Sequence, residues 1–267
     1  MNICVCIKQV PDTTEIRIDP ETNTLIRKGV PSIVNPFDLY ALEMALQLRE
    51  KKSGKIYILS MGPGQAEQAV KFCLEMGADE GFLISGRAFG GSDTYATSYI
   101  LSRGVRTVET VENIEFDLIL CGKQAIDGDT AQVGPEMAEH LGIPQITMAL
   151  DLYFEGENLI VKRESREGYD LMTTSFPALV TVLKSNVPPR CATLKTKMAA
   201  RRKTITILTE TEMKEINLRH CGLKGSPTRV VSTYVPTVKK TGYIVHRENY
   251  EEAAEELMTR LREDGVF

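Results

Sequence analysis

The chain reads as an α/β protein: a mostly parallel sheet with helices on both faces, antiparallel additions, and an extended C-terminal arm. Three observations predict it. Short apolar runs without alternation, such as NICVCI at 2–7 and LILC at 118–121, read as strands covered on both faces. The runs at 55–60 and 118–121 feed through glycine-containing turns into segments with helical spacing, and repeated strand–helix–strand units build parallel sheets joined by right-handed crossovers. From Gln145 onward, four strand-like runs follow one another with only EGEN, EG and Pro177 between them, which is the antiparallel pattern.

Composition narrows the class. A chain of 267 residues can bury a sizeable core, as one large domain or a domain with an appendage. Net charge is −4 with both signs spread along the chain, so neither nucleic acid nor an anionic membrane is expected as a partner. No apolar run approaches the length of a bilayer span, and Ile3–Val10 is too short for a signal peptide, so a soluble, cytoplasmic protein is expected. The six cysteines form no CxxC pair and the three histidines stand apart from them, which argues for free thiols in a reducing compartment and against a metal site.

Taken in order, residues 2–7 make a central strand that Pro11 separates from a polar excursion reaching Asn35. Within it, EIRID and TLIRKG suggest a small hairpin. Asn35 and Pro36 suit the cap and first turn of a helix whose stripe is Leu39, Leu42, Ala45, Leu46 and Leu48. Lys55–Ser60 is a second strand, leading through Met61, Gly62, Pro63 and Gly64 into a helix closed by Gly77, and GFLIS is a third strand. A Rossmann-like architecture follows, with the first and fourth strands adjacent in the middle and their loops opening on one crevice.

RAFGGSDT at 87–94 has competing readings: a phosphate-binding glycine loop, disfavoured by its place after a third strand; a capping segment in which Ser92 or Asp93 starts a helix; or a flexible glycine loop at the crevice mouth. The stretch 116–135, FDLILCGKQAIDGDTAQVGP, reads as a buried strand, a turn and a helix start. Gly122, Gly128 and Gly134 are spaced six apart, and a loop running from a strand's carboxyl end into a helix N-terminus offers N–H groups and a positive dipole end to anions. Asp127 and Asp129 would accept from ribose hydroxyls or, with Thr130, cap the helix.

From Ser185 the chain reads as an arm, broken by Pro188 and Pro189. Arg190–Lys203 carries six basic residues and no acid, which suits an acidic partner surface or a solvated helix better than nucleic acid, because no aromatics interleave. Residues 248–263 form a last amphipathic helix with Ala253, Leu257 and Leu261 in a narrow stripe. Ordering such an arm costs about 1–2 kcal/mol per residue in backbone entropy, which implies a second chain. The expected division is 1–190 as the α/β domain and 191–267 as the arm.

With these pieces placed, the sequence resembles the beta subunits of electron transfer flavoproteins, which pair with an alpha subunit. The resemblance rests on CIKQVPD at 6–12, NPFD at 35–38, MGPGQ at 61–65, GKQAIDGDTAQVG at 122–134, PALVT at 177–181 and RCATLKTKMAARRK at 190–203. It implies an adenine-nucleotide-hydrolase-like fold, with nucleotide or flavin binding in 1–190 and, in 191–267, a recognition loop and an arm embracing the second chain. It also implies an adenine-nucleotide pocket formed by Cys6, Asn35, Pro36, Phe37, Asp38, Met61, Gly122, Lys123, Gln124, Ala125, Ile126, Asp127, Gly128, Asp129, Thr130, Ala131, Gln132 and Val133. In the carrier branch that pocket holds AMP; in the electron-bifurcating branch it holds the ADP part of FAD, whose ring accepts hydride from NADH. KQVPDT, RAFGGSDT with its following helix, and SPTRV at 226–230 resemble the bifurcating branch. There Gly90 and Gly91 would approach the flavin ring while Ser92, Asp93 and Thr94 hydrogen-bond it. Leu194 resembles the leucine that anchors an acyl-CoA dehydrogenase, surrounded here by Lys195, Lys197, Arg201 and Arg202. Ferredoxin or flavodoxin would take the second electron. No acid, base or nucleophile is implied, since the redox chemistry belongs to the cofactor. A reading of another class is a universal-stress-type ATP-binding regulator, which shares the fold and needs no second chain.

Overall fold

The computed structural model describes residues 1–12, 31–232 and 242–266. In chain order the elements are β1 (Asn2–Ile7), β2 (Gln9–Pro11), β3 (Ser32–Val34), α1 (Pro36–Lys51), β4 (Lys55–Met61), α2 (Glu67–Met76), β5 (Glu80–Ile84), α3 (Thr94–Glu112), β6 (Leu118–Gly122), α4 (Val133–Leu141), β7 (Gln145–Glu155), β8 (Asn158–Ser165), β9 (Gly168–Thr174), β10 (Ala178–Val182), α5 (Leu194–Ala200), β11 (Ile205–Leu208), the single turn α6 (Gly222–Gly225) and α7 (Tyr250–Glu263). The expected EIRID/TLIRKG hairpin lies outside the described residues. The antiparallel pair β2–β3 flanks it.

The main sheet has the order β11-β5-β4-β1-β6-β10-β7-β8-β9. Neighbours from β11 to β7 are parallel, and β8 and β9 are antiparallel. As expected, β1 and β6 are adjacent in its middle. Side-chain alternation along the central strands divides the core in two. Ile3, Val5, Ile7, Ile56 and Leu120 pack under α1 and α2, whereas Cys4, Cys6, Leu59, Ile119 and Cys121 pack under α3 and α4. Both faces are apolar, which is why these strands show no alternation in sequence.

Two expectations are corrected. The run at 178–182 is not an antiparallel addition: β10 inserts between β6 and β7 and runs parallel to both. Its residues ALVTV are all buried, the mark of a strand covered on two faces. Nor do residues 185–231 form a loose arm. The first compact unit runs through Val231, and the division falls there rather than at 190. Arg190 is pinned by Glu43 and Glu50 of α1, α5 tucks Ala200 into the core on the side of α2, and β11 adds a strand beside β5. Ala200, Leu208, Met213 and Cys221 are the buried anchors of this return path. They are too widely spaced for any periodicity to register.

In the described part of the second unit, Asn249 caps α7 by accepting from Glu251 N at 3.0 Å. Arg247 and Arg260 both reach Glu256, at 2.7 and 3.5 Å. No residue of α7 is buried. Among the described residues no helix is long and apolar enough to cross a membrane.

Candidate functional site

Because α1 and α2 cover one face and α3 and α4 the other, the winding reverses between β1 and β6. In open α/β sheets ligands bind outside the carboxyl ends of the strands at such a point. A cavity of about 810 Å³ opens there. Its walls come from Lys8 after β1, Met61–Pro63 after β4, the 84–94 segment after β5, and Gly122–Ala125 with Gly128–Gly134 after β6.

Two residues of the NPFD segment hold these loops in register. Asp38, buried in the first turn of α1, accepts Lys8 N on Oδ2 at 2.7 Å and Gly122 N on Oδ1 at 3.0 Å. It thereby ties the ends of β1 and β6 together. Burial pushes its carboxyl up to about 7, against the opposing pull of Asn35, the two N–H donors and the Lys8 charge. Asn35 occupies the N-cap position of α1, but its side chain does not cap. The amide instead donates to Gln124 O at 2.8 Å and accepts Ile126 N at 3.1 Å, shaping the loop from β6. Pro36 and Phe37 do not line the cavity. Phe37 is the floor against which Gly122 packs, since a Cβ on Gly122 would lie 2.6 Å from Phe37 Cβ.

The loop after β6 is longer than expected. Helix α4 begins only at Val133, its N-cap is Gln132, and none of Asp127, Asp129 and Thr130 caps it. Asp127 instead pairs with Lys8 at 2.6 Å, and Asp129 accepts Gln124 Nε2 at 2.6 Å. Asp129 and Ala131 hold positive φ values of 50° and 54°, a conformation that L residues keep only where their surroundings impose it, as ligand sites often do. Of the three evenly spaced glycines, two are required sterically. Gly134 lies against β10 and β6, where a Cβ would come 2.6 Å from Thr181 Cγ2 and 2.9 Å from Cys121 Sγ. Around Gly128 there is open space.

At the other end of the cavity, Asp93 caps α3 by accepting Ala96 N at 3.0 Å. Its second carboxylate oxygen accepts Thr228 N at 2.9 Å and Thr228 Oγ1 at 2.7 Å. Ser92 Oγ donates to Phe89 O and accepts Gly222 N. The side chains of Ser92 and Asp93 are therefore engaged by protein while both residues line the cavity, and the expected capping role falls to Asp93. Thr94 Oγ1 lies 3.3 Å from both Gln132 and Glu136, joining α3 to α4 across the cavity wall.

Cys6, Asn35, Asp38, Met61, Gly90–Thr94, Gly122–Ala125 and Gly128–Val133 all converge on this one cavity, whereas Ile126 and Asp127 fall outside its lining. Sequence reasoning missed Lys8, Arg87 and Met137, which also line it. Lys8 stands within the CIKQVPD motif beside Cys6, so its position one residue past the strand was the available signal. On the outer surface, Leu194 is 76% exposed and Met198 54%. Arg190 and Lys203 are engaged inward, Lys203 by Ala78 O, so four of the expected cations, Lys195, Lys197, Arg201 and Arg202, stand exposed around that leucine.

The doubly wound sheet and the cavity at its switch point define a Rossmann-like α/β protein with a cavity walled by four strand-end loops. The chain belongs to the electron transfer flavoprotein family: residues 22–213 match the family model described as the electron transfer flavoprotein domain. It is 48% identical to the electron transfer flavoprotein subunit beta of Thermoanaerobacterium thermosaccharolyticum over 100% of both chains. It is 46% identical to the subunit of the same name from Megasphaera elsdenii over 98% of both. It is also 42% identical, over 100% of both, to the Caffeyl-CoA reductase-Etf complex subunit CarD of Acetobacterium woodii.

Proposed function

We propose that this beta-subunit relative binds FAD in the switch-point cavity and serves electron bifurcation. The observation that carries the reading is the extent of the cavity. It runs without interruption from the 122–134 loop to the 84–94 segment, and 810 Å³ lies toward the upper end of the ~300–1,000 Å³ range of ligand sites. A dinucleotide suits that volume, and a lining drawn from both segments, better than AMP does. At one end, the polar loop shaped by Asn35 receives the ADP part, with Lys8 and Lys123 on the wall and the first-turn N–H groups of α4 available to phosphate. Farther along, Phe89, Leu101 and Met137 offer apolar walls suited to a flavin ring.

Bound there, FAD would supply the chemistry of accepting a hydride from NADH and releasing its two electrons by separate routes. One route leads to the FAD of the alpha subunit and then to an acyl-CoA dehydrogenase, the other to ferredoxin or flavodoxin. The name of the relative in Acetobacterium woodii, a subunit of a caffeyl-CoA reductase complex, supports an acyl-CoA-linked partner. Exposed Leu194 with Lys195, Lys197, Arg201 and Arg202 would dock the dehydrogenase, their charge speeding encounter with an acidic surface. Helix α7, with no residue buried, presents its face to the alpha subunit.

Anaerobic titration of the protein purified with its alpha subunit tests the reading. Addition of NADH is expected to bleach flavin absorbance; unchanged absorbance at saturating NADH would remove NADH from the account.

A further inference from the structure

We infer that the 221–228 segment is a clasp that sets the position of the Gly90–Thr94 backbone, with Ser226 and Thr228 as positioning residues for the ring end of the cavity. The inference rests on the proposed flavin site and goes beyond it, because neither residue lines the cavity.

The clasp is a continuous hydrogen-bonded circuit between segments some 130 residues apart in sequence. Ser92 Oγ donates to Phe89 O at 2.8 Å and accepts Gly222 N at 3.0 Å. Gly222 O accepts Ser226 Oγ at 2.8 Å, and that hydroxyl in turn accepts Asp93 N at 2.9 Å. Thr228 closes the circuit on the Asp93 carboxylate through both its N–H and its hydroxyl. Burial raises the Asp93 carboxyl, but the bond from Ala96 N at the cap, followed by those from Thr228 and Ser226, outweighs it and holds the group below the usual carboxylate range, so it stays charged while it caps α3. The fit is also steric. Gly91, at φ 75°, is backed by Leu223, and a Cβ on Gly222, at φ 61°, would collide with Ala88 O. The turn therefore lies flush against the glycine loop.

With the side chains of Ser92 and Asp93 bound to the clasp, Gly91 and Ser92 offer a ligand their backbone N–H donors, which have no partner among the described residues. They stand at the positive end of α3, a helix of 19 residues. Donors fixed near a flavin ring favour its electron-rich reduced form and so tune its potential. Freed from the clasp, the loop would pay an ordering cost each time it met the ring.

The test is the double variant Ser226→Ala with Thr228→Val in the flavin-loaded protein, beside Thr228→Ser, which keeps the hydroxyl. Amide exchange over 89–94 is expected to quicken by about tenfold or more in the double variant, matching the loss of bonds worth about 1.5–3 kcal/mol each to a charged group. Its cavity flavin should become harder to reduce, and Thr228→Ser should restore both readouts. Unchanged exchange would overturn the clasp. Quickened exchange with an unchanged flavin potential would reduce it to scaffolding and overturn its role at the ring. Absence of flavin from the wild-type cavity would overturn the proposed function itself, and with it that role.

Discussion

Gly122→Ala is expected to lower the melting temperature by roughly 5–15 °C, at about 2–4 °C per kcal/mol for a chain of this size, and to abolish nucleotide binding. The new Cβ would collide with Asp38 Oδ1, with Phe37 Cβ at 2.6 Å and with the Phe37 carbonyl carbon at 2.8 Å. None of these is the free end of a flexible side chain. Either the end of β6 or the first turn of α1 must move, and either movement breaks the Gly122 N–Asp38 bond. Overpacking of this kind costs about 1–3 kcal/mol, and the orphaned buried polar groups add a similar amount. Gly128→Ala is the control: with nothing near its Cβ, stability should stay within about 0.5 kcal/mol of wild type. Thermal unfolding of the two variants checks this, and equal losses would contradict the close packing assigned to Gly122.

Replacing Asp38 is expected to have the second largest effect. Asp38→Ala leaves Lys8 N and Gly122 N without their acceptor, a loss of about 2–4 kcal/mol. The group also makes stability depend on pH. In the folded protein burial raises its carboxyl to about 7 from an ordinary 3.8, so the folded state prefers the protonated form. Its contribution is full below pH 3.8 and declines as pH rises through 7. Asp38→Asn, neutral throughout, should flatten that part of the profile while losing some stability at pH 5, because an amide cannot accept at both positions. Melting temperatures between pH 4 and 8 read the difference; an unchanged slope in Asp38→Asn would assign the titration to another group.

The elements that position the cavity were legible where a physical rule spans few residues. Continuous apolar runs identified β1, β4, β5 and β6, since strands covered on both faces have no polar side to reveal alternation. The same rule, applied strictly to ALVTV, would have placed β10 inside the sheet; the antiparallel neighbours β8 and β9 drew that run into their pattern. The site residues were legible as motifs, but their division of labour was not. Asn35 looked like a helix cap and is a brace for the β6 loop; Asp93 caps α3, one of the readings the sequence offered, but the ties of Ser92 and Asp93 to Ser226, Thr228 and Gly222 had no signal. These contacts join residues between 89 and 135 apart, which no local pattern encodes. The return path from Arg190 to Val231 was hidden for the same reason, being held by isolated anchors such as Arg190 on Glu43 rather than by a periodic face.

The central claim is that one cavity at the β1–β6 switch point holds a complete flavin dinucleotide. Release of bound nucleotide from the protein purified with its alpha subunit, followed by chromatographic identification and counting, tests it most directly. Two FAD per heterodimer is the predicted result. One FAD accompanied by one AMP would contradict it, placing a mononucleotide at the 122–134 loop and leaving the ring end of the cavity without its ligand.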